Sequence, residues 1–221
     1  MKVLAHRGLC TGAPENTLAA FEAAARAGVD GIETDVRCTA DGVLVLVHDR
    51  HLPGGRPVAQ ARLAELAAAL APAPACTVAE ALATFPHLLW NLELKDGRAG
   101  PALVRLLRQQ HPRLEAVLSS FDHRALSALD SVPWRRGALL AHRPARLAEE
   151  ARRLRQQGFD LLVQAHEHLV GDDLHGAAGH LPLWAYDPQG PEEHAALAGW
   201  PLEAVITDQP GQLPPAARPA H

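Results

Sequence analysis

A closed parallel barrel of eight strand–helix units, the TIM-type (β/α)8 fold, is what this sequence predicts. Short β-branched or leucine-rich runs alternate with alanine-rich helical stretches along most of the 221 residues. Such alternation argues for a parallel sheet with right-handed crossovers. About eight such units in a chain of this length favour a closed barrel over an open doubly wound sheet. A hydrophobic content of 48 % is enough for a sizeable core, so one domain spanning residues 1–221 is expected.

The strands expected in order are Val3–Ala5, Gly31–Val36, Val43–Val47, Leu88–Leu94, Ala116–Ser120, Gly137–Ala141, Leu161–Gln164, Leu181–Ala185 and Ala204–Thr207. The first helix places Leu18, Phe21 and Ala25 on one face, with Asn16 or Thr17 to cap it and Gly28 to end it. Further helices are predicted over Arg62–Leu70, Val78–Phe85, Pro101–Gln110, His123–Ser131, Pro144–Gln157 and Pro191–Leu197. Prolines and a preceding aspartate open several of them, as helix starts prefer. One joint departs from the barrel pattern. The few residues of Arg37–Gly42 are too short for a helical crossover. Asp41-Gly42 reads instead as a hairpin turn, so the barrel is expected to be irregular around its second and third strands. The tail after Pro210, rich in proline and alanine, is expected to fray.

Charge and composition narrow the function classes. A net charge of −4 lacks the basic excess of a nucleic-acid-binding protein. No apolar run approaches the roughly 20 residues of a membrane span, and Met1-Lys2 runs into the first strand without a signal-peptide pattern. Cys10, Cys38 and Cys76 fit neither a disulfide framework nor a zinc site. A cytoplasmic protein acting on a small molecule, with no nucleic acid and no stable membrane insertion, is the expectation; the oligomeric state is left open.

Candidate chemistry sits at strand ends. His6-Arg7-Gly8 follows the first strand and sets a proton carrier beside an anion-binding guanidinium; alone, such a pair is more often ordinary surface polarity. Glu33 and Asp35 lie two apart on the second strand and therefore share a face. Inside a barrel two such carboxylates repel unless a cation neutralises them; the plainer alternative is a solvent-facing strand end. Asn91, Glu93 and Lys95 repeat the pattern, and Glu93 can complete an oxygen-rich site for a hard cation. Lysine occurs only at Lys2 and Lys95 beside 19 arginines, so Lys95 reads as a position needing a compact ammonium for a phosphate or a leaving oxygen. His48-Asp49 closes the third strand, and His48 is the natural acid–base partner of His6. Of the other histidines, only His142 and His166 follow strands and so qualify for a minor part in the cleft. Ser119, Ser120, Trp184 and Tyr186 at further strand ends suit a polyol pocket or simple packing equally well.

In this order the pieces resemble the glycerophosphodiester phosphodiesterase family. The motifs are Ala5-His6-Arg7-Gly8, Pro14-Glu15-Asn16-Thr17, Gly31–Val36, Asp41-Gly42, His48-Asp49, Glu93-Leu94-Lys95, Ser119-Ser120-Phe121 and Ile206-Thr207-Asp208-Gln209-Pro210, spanning about residues 3–210. The resemblance implies a barrel with its site at the strand C-termini and a divalent cation (Mg²⁺, Ca²⁺ or Mn²⁺) on Glu33, Asp35 and Glu93. It also implies His6 and His48 as the acid–base pair, and Arg7 and Lys95 on the phosphate. Trp184 and Ser120 are the expected further substrate contacts. The implied reaction is hydrolysis of glycerophosphodiesters, such as glycerophosphocholine or glycerophosphoethanolamine, to glycerol 3-phosphate and an alcohol. Two departures stand out: the segment after His48-Asp49 is shortened relative to the family, and Trp184-Ala185-Tyr186-Asp187 replaces a Trp-Thr-Val-Asn run. The same residues would also serve a lysophospholipase D-like or phosphoinositide phospholipase-like enzyme, or a non-catalytic glycerol-phosphate-binding barrel.

Overall fold

The computed structural model describes residues 1–129, 131–169, 171 and 173–213. The strands among them are β1 (Lys2–His6), β2 (Gly31–Cys38), β3 (Leu44–Leu46), β4 (Leu89–Leu94), β5 (Ala116–Ser120), β6 (Arg135–Leu140), β7 (Leu161–Ala165), β8 (Leu183–Tyr186) and β9 (Leu202–Thr207). Eight run parallel in the order β1-β2-β4-β5-β6-β7-β8-β9, and β1 also pairs with β9, closing the barrel. The irregular joint is where the sequence places it. β3 turns back antiparallel on β2, with Val36 opposite Leu46 and Cys38 opposite Leu44. β3 therefore lies outside the barrel and adds a hairpin to the upper half of β2.

The helices are α1 (Leu18–Arg26), α2 (Leu63–Leu70), α3 (Val78–Thr84), α4 (Ala99–Gln110), α5 (His123–Ser127), α6 (Leu147–Gln156), α7 (His166–Leu169), α8 (Leu174–Ala178) and α9 (Gly190–Ala196). Thr17 caps α1 by accepting the Ala20 N–H. The buried face of α1 is Ala20, Phe21 and Ala24; Leu18 is not on it, being 37 % exposed, because the helix sits rotated relative to the expected stripe. Thr77 and Glu80 cap α3 reciprocally, each side chain taking the other's backbone N–H. α7 and α8 were not expected. With four and five residues, they are too short to show a helical period. Of the terminal stretch expected to fray, Pro210–Gln212 forms a 3₁₀ turn and Leu213 is buried; residues 214–221 lie outside the described residues.

Packing separates two apolar layers. Between barrel and helices, Phe21 meets Trp90 edge-on at 5.4 Å, and Leu103, Leu107, Leu118 and Leu126 are fully buried. Inside the barrel, Leu4, Leu89, Val117, Leu161, Val163, Trp184 and Ala204 fill the lower part. Fully burying each such large apolar side chain contributes about 1.5–3 kcal/mol. Alternation then carries polar residues upward on the same faces, from Leu4 to His6 and from Leu89 to Asn91, Glu93 and Lys95. The apolar fill thus floors a polar site at the C-terminal ends of the strands. The segment after β3 builds a small core of its own from Val45, Leu52, Val58, Ala61 and Leu66. Among the described residues no helix is long and apolar enough to cross a membrane.

Candidate active site

β1 delivers His6 to the top of the barrel, and the chain then turns sharply. Arg7 has φ 54° and Gly8 φ 86°. Gly8 has a second reason to be glycine: a Cβ there would lie 2.8 Å from the backbone of Ala20. The Arg7 N–H donates to the Glu33 carbonyl at 2.8 Å, and the Arg7 carbonyl accepts from Asn16 N–H at 3.0 Å. The His-Arg-Gly turn is therefore pinned to both β2 and the start of α1. Asn16 (φ 57°) adopts the left-handed conformation that asparagine tolerates.

Glu33, Asp35 and Glu93 converge as their spacing predicts. All three are buried, and one carboxylate oxygen from each lies within 4.8 Å of the others. Lys95 Nζ is 3.0 Å from Asp35 and 2.6 Å from Glu93, and Arg7 Nε is 3.1 Å from Asp35. Asn16 donates its side-chain N–H to Asp35 at 3.0 Å and accepts the Thr34 hydroxyl at 2.6 Å. Two cations thus face three carboxylates. Glu33 is the least compensated: its Oε2 is buried without a hydrogen-bond partner among the described residues. Burial and then the Asp35 charge push its carboxyl up to about 8. Burial also raises Glu93, only partly offset by Lys95. Asp35 goes the other way; Lys95, Arg7 and the Asn16 hydrogen bond overcome its burial and hold it below the usual carboxylate range. Three buried carboxylates, an orphaned oxygen and a net negative balance fit a hard divalent cation.

The two histidines reach the site differently. His6 Nδ1 lies 2.9 Å from Asp208 Oδ1. A carboxylate only accepts, so His6 donates from Nδ1 and presents Nε2, which is 3.8 Å from Glu33 Oε2. Burial disfavours the imidazolium, but the Asp208 hydrogen bond and the Glu33 charge outweigh it and raise the His6 pKa. His48 follows the β3 hairpin, with Nδ1 3.0 Å from Asp49 Oδ1. His6, Arg7, Glu33, His48, Glu93 and Lys95 line one cavity of about 280 Å³, together with Asn91, Phe121, Leu139, Tyr186, Asp187 and Ile206. Asp35 lies beneath its wall, 1 % exposed.

Two expected substrate contacts are not at this cavity. Trp184 is fully buried in the lower barrel interior, and its indole N–H donates to Glu203 at 3.1 Å. Tyr186, two residues on and on the same face, is the side chain that reaches the cavity. Ser120 points away from the barrel axis, donating to the Leu94 carbonyl at 2.7 Å and accepting the Asp122 N–H at 3.0 Å. It secures the ends of β4 and β5. His166 is also absent from the cavity wall: it stacks on Trp200 with ring centroids 4.9 Å apart. His142 does not line it either. Cys10, Cys38 and Cys76 are all free thiols.

Asn16 and Asp208 are residues whose work the sequence reading missed. Asn16 reads as a helix cap, yet Thr17 caps and Asn16 holds Asp35. Asp208, from its place at the end of the last strand, suits capping the following turn as well as touching substrate; closure of β9 onto β1 instead brings it to His6. A hydrogen-bonded chain fixes the Asp208 turn: His194 Nε2 accepts the Thr207 hydroxyl at 2.8 Å, and the same oxygen accepts Gln209 N–H at 3.0 Å. His194 Nδ1 in turn donates to the Gly190 carbonyl at 2.6 Å.

Comparison with known proteins agrees with this architecture. The profile of the glycerophosphoryl diester phosphodiesterase family matches residues 6–100. A probable glycerophosphodiester phosphodiesterase 2 of Mycobacterium tuberculosis is 28 % identical across 93 % of this chain and 86 % of its own. A probable glycerophosphodiester phosphodiesterase 1 of the same species is 58 % identical over 50 residues, 23 % of this chain, and that match spans 18 % of the relative's length. Among solved structures, an Oleispira antarctica phosphodiesterase in complex with the product sn-glycerol-3-phosphate superposes with TM-score 0.82 at 26 % identity, covering 98 % of this chain and 96 % of that one. A Thermotoga maritima glycerophosphodiester phosphodiesterase shares the fold, with TM-score 0.81 at 24 % identity and 95 % coverage of both chains. With motifs running from His6 to Pro210 on a matching barrel, the chain is similar in sequence and in fold to the glycerophosphoryl diester phosphodiesterase family.

Proposed function

We propose that the protein hydrolyses glycerophosphodiesters, such as glycerophosphocholine or glycerophosphoethanolamine, to glycerol 3-phosphate and an alcohol. The reaction depends on a divalent cation, Mg²⁺, Mn²⁺ or Ca²⁺, held by Glu33, Asp35 and Glu93. The observation that carries this reading is two histidines opening onto the cavity that Glu33 and Glu93 line, with Asp35 beneath its wall. Once bound, the cation supplies Lewis-acid polarisation of a phosphoryl oxygen. Every other part falls to the chain itself. Arg7 lies at the cavity wall and binds the anionic phosphate, while Asn16 and Lys95 hold Asp35 in place. Lys95, already bonded to two carboxylates, offers its remaining N–H to a phosphoryl oxygen. His6 and His48 each have Nδ1 at a carboxylate, which leaves Nε2 of both as the proton-carrying atom. One takes the proton of the attacking oxygen and the other returns one to the departing alcohol oxygen. Phe121 and Tyr186, rather than Trp184, form the aromatic wall.

The test is release of glycerol 3-phosphate from glycerophosphocholine and glycerophosphoethanolamine. Turnover should be lost in EDTA and restored by Mg²⁺, Mn²⁺ or Ca²⁺. Turnover that persists in EDTA would remove the cation from the account. Hydrolysis of lysophosphatidylcholine alone would replace the substrate class.

A further inference from the structure

His48 stands apart from the rest of the site because no barrel strand carries it. It follows β3, a three-residue strand paired with β2 through residues 44–46. The last backbone bond of that hairpin runs from Val47 N–H to the Asp35 carbonyl at 3.1 Å. The His48 side chain is 40 % exposed, so packing alone does not fix it. One side chain spans the gap. Arg37 Nε donates to the Val47 carbonyl at 3.2 Å and to the His48 carbonyl at 3.1 Å, and Arg37 Nη2 donates to the His48 carbonyl at 2.6 Å.

We infer that Arg37 is a positioning residue for His48, locking the hairpin that bears this histidine to the strand that bears Glu33 and Asp35. Arg37 lies two residues past Asp35 on β2, so the strand that supplies two carboxylates also sets the height of His48 above them. Its guanidinium is not part of the cavity wall and acts through the His48 backbone. The planar fork is what the task needs: one rigid group reaches two successive carbonyls, whereas an ammonium is a single flexible point. Displacing a reacting group by about 1 Å can cost on the order of 10²-fold in rate. The inference rests on the proposed proton transfer by His48, and the experiment separates the two.

The variants are Arg37→Met, Arg37→Lys and His48→Ala, with both Arg37 changes also made in the His48→Ala background. On glycerophosphocholine with saturating Mn²⁺, Arg37→Met should lower kcat by about 10–100-fold, with KM and Mn²⁺ affinity near the parent values. Arg37→Lys should stay closer to Arg37→Met than to the parent. In the His48→Ala background neither change should lower kcat further, since two residues acting as a unit are not additive. Independently of turnover, the His48 ring signals in the NMR spectrum of chelated protein, identified by their loss in His48→Ala, should shift or broaden in both Arg37 variants. Full activity in Arg37→Lys would overturn the inference by showing that charge suffices. An undiminished loss of kcat in the His48→Ala background would overturn it by placing Arg37 elsewhere in the reaction. Should Arg37→Met fail to fold, Arg37→Lys carries the same comparison. A parent without turnover would defeat the proposed function alone; unmoved His48 signals would then defeat the Arg37 inference by themselves.

Discussion

Replacing Lys95 tests how the buried charges are balanced. Its ammonium lies 3.0 Å from Asp35 and 2.6 Å from Glu93, with the side chain 15 % exposed. Hydrogen bonds to charged groups contribute about 1.5–3 kcal/mol each, and breaking a buried ion pair by removing one partner costs about 3–5 kcal/mol. Lys95→Met should therefore destabilise the chelated protein by about 3–5 kcal/mol, toward the lower end because Glu93, already raised by burial, can take up a proton. At roughly 2–4 °C per kcal/mol for a domain of this size, Tm should fall by roughly 6–20 °C. Saturating Mn²⁺ should return part of that loss, because the ion replaces the missing positive charge, while kcat/KM on glycerophosphocholine stays low. Lys95→Arg keeps the charge but brings a bulkier planar group against Glu93, so its kcat/KM should fall nearly as far. The assays are calorimetric Tm with and without Mn²⁺ and steady-state kinetics of all three proteins. A Tm for chelated Lys95→Met within about 2 °C of the parent would refute the charge-balance reasoning. Parental activity in Lys95→Arg would refute the need for a compact ammonium.

Other outcomes follow from the same geometry. Asp208→Asn should slow release of choline far more than release of p-nitrophenol from glycerophospho-p-nitrophenol if His6 donates the leaving-group proton, because a good leaving group needs none; equal slowing would assign His6 to the other proton. Glu33 is raised to about 8 from roughly 4.3 in an unfolded chain. The folded state therefore holds the extra proton between those values, and chelated parent should lose stability relative to Glu33→Gln as pH climbs through that window. A pH-independent difference in Tm would contradict this. Trp184→Phe should lower Tm but leave kcat/KM on glycerophosphocholine unchanged, whereas Tyr186→Ala should raise KM; the reverse pattern would return Trp184 to the substrate.

The barrel, its hairpin joint and the convergence of Glu33, Asp35 and Glu93 were legible because each depends on local rules. Two-residue spacing on a strand fixes which side chains share a face, and Asp41-Gly42 with too few residues for a helix fixes the turn. What stayed illegible depends on three dimensions. Trp184 and Tyr186 share a face in any strand, and only the height of β8 within the barrel decides which meets the cavity. Ser120 and Ser119 differ by one residue, so parity in the closed barrel sends Ser120 outward to the Leu94 carbonyl. Asp208 meets His6 only because β9 closes onto β1. Asn16 was hidden by a neighbour, since Thr17 took the capping role that both residues could fill.

Whether Glu33, Asp35 and Glu93 hold a divalent cation is read by calorimetric titration of chelated protein with Mn²⁺, comparing parent with Glu33→Ala, Asp35→Ala and Glu93→Ala. Binding should be saturable in the parent and lost or severely weakened in each variant, all three remaining folded. Parental binding in all three variants, or no binding in the parent, would contradict this assignment.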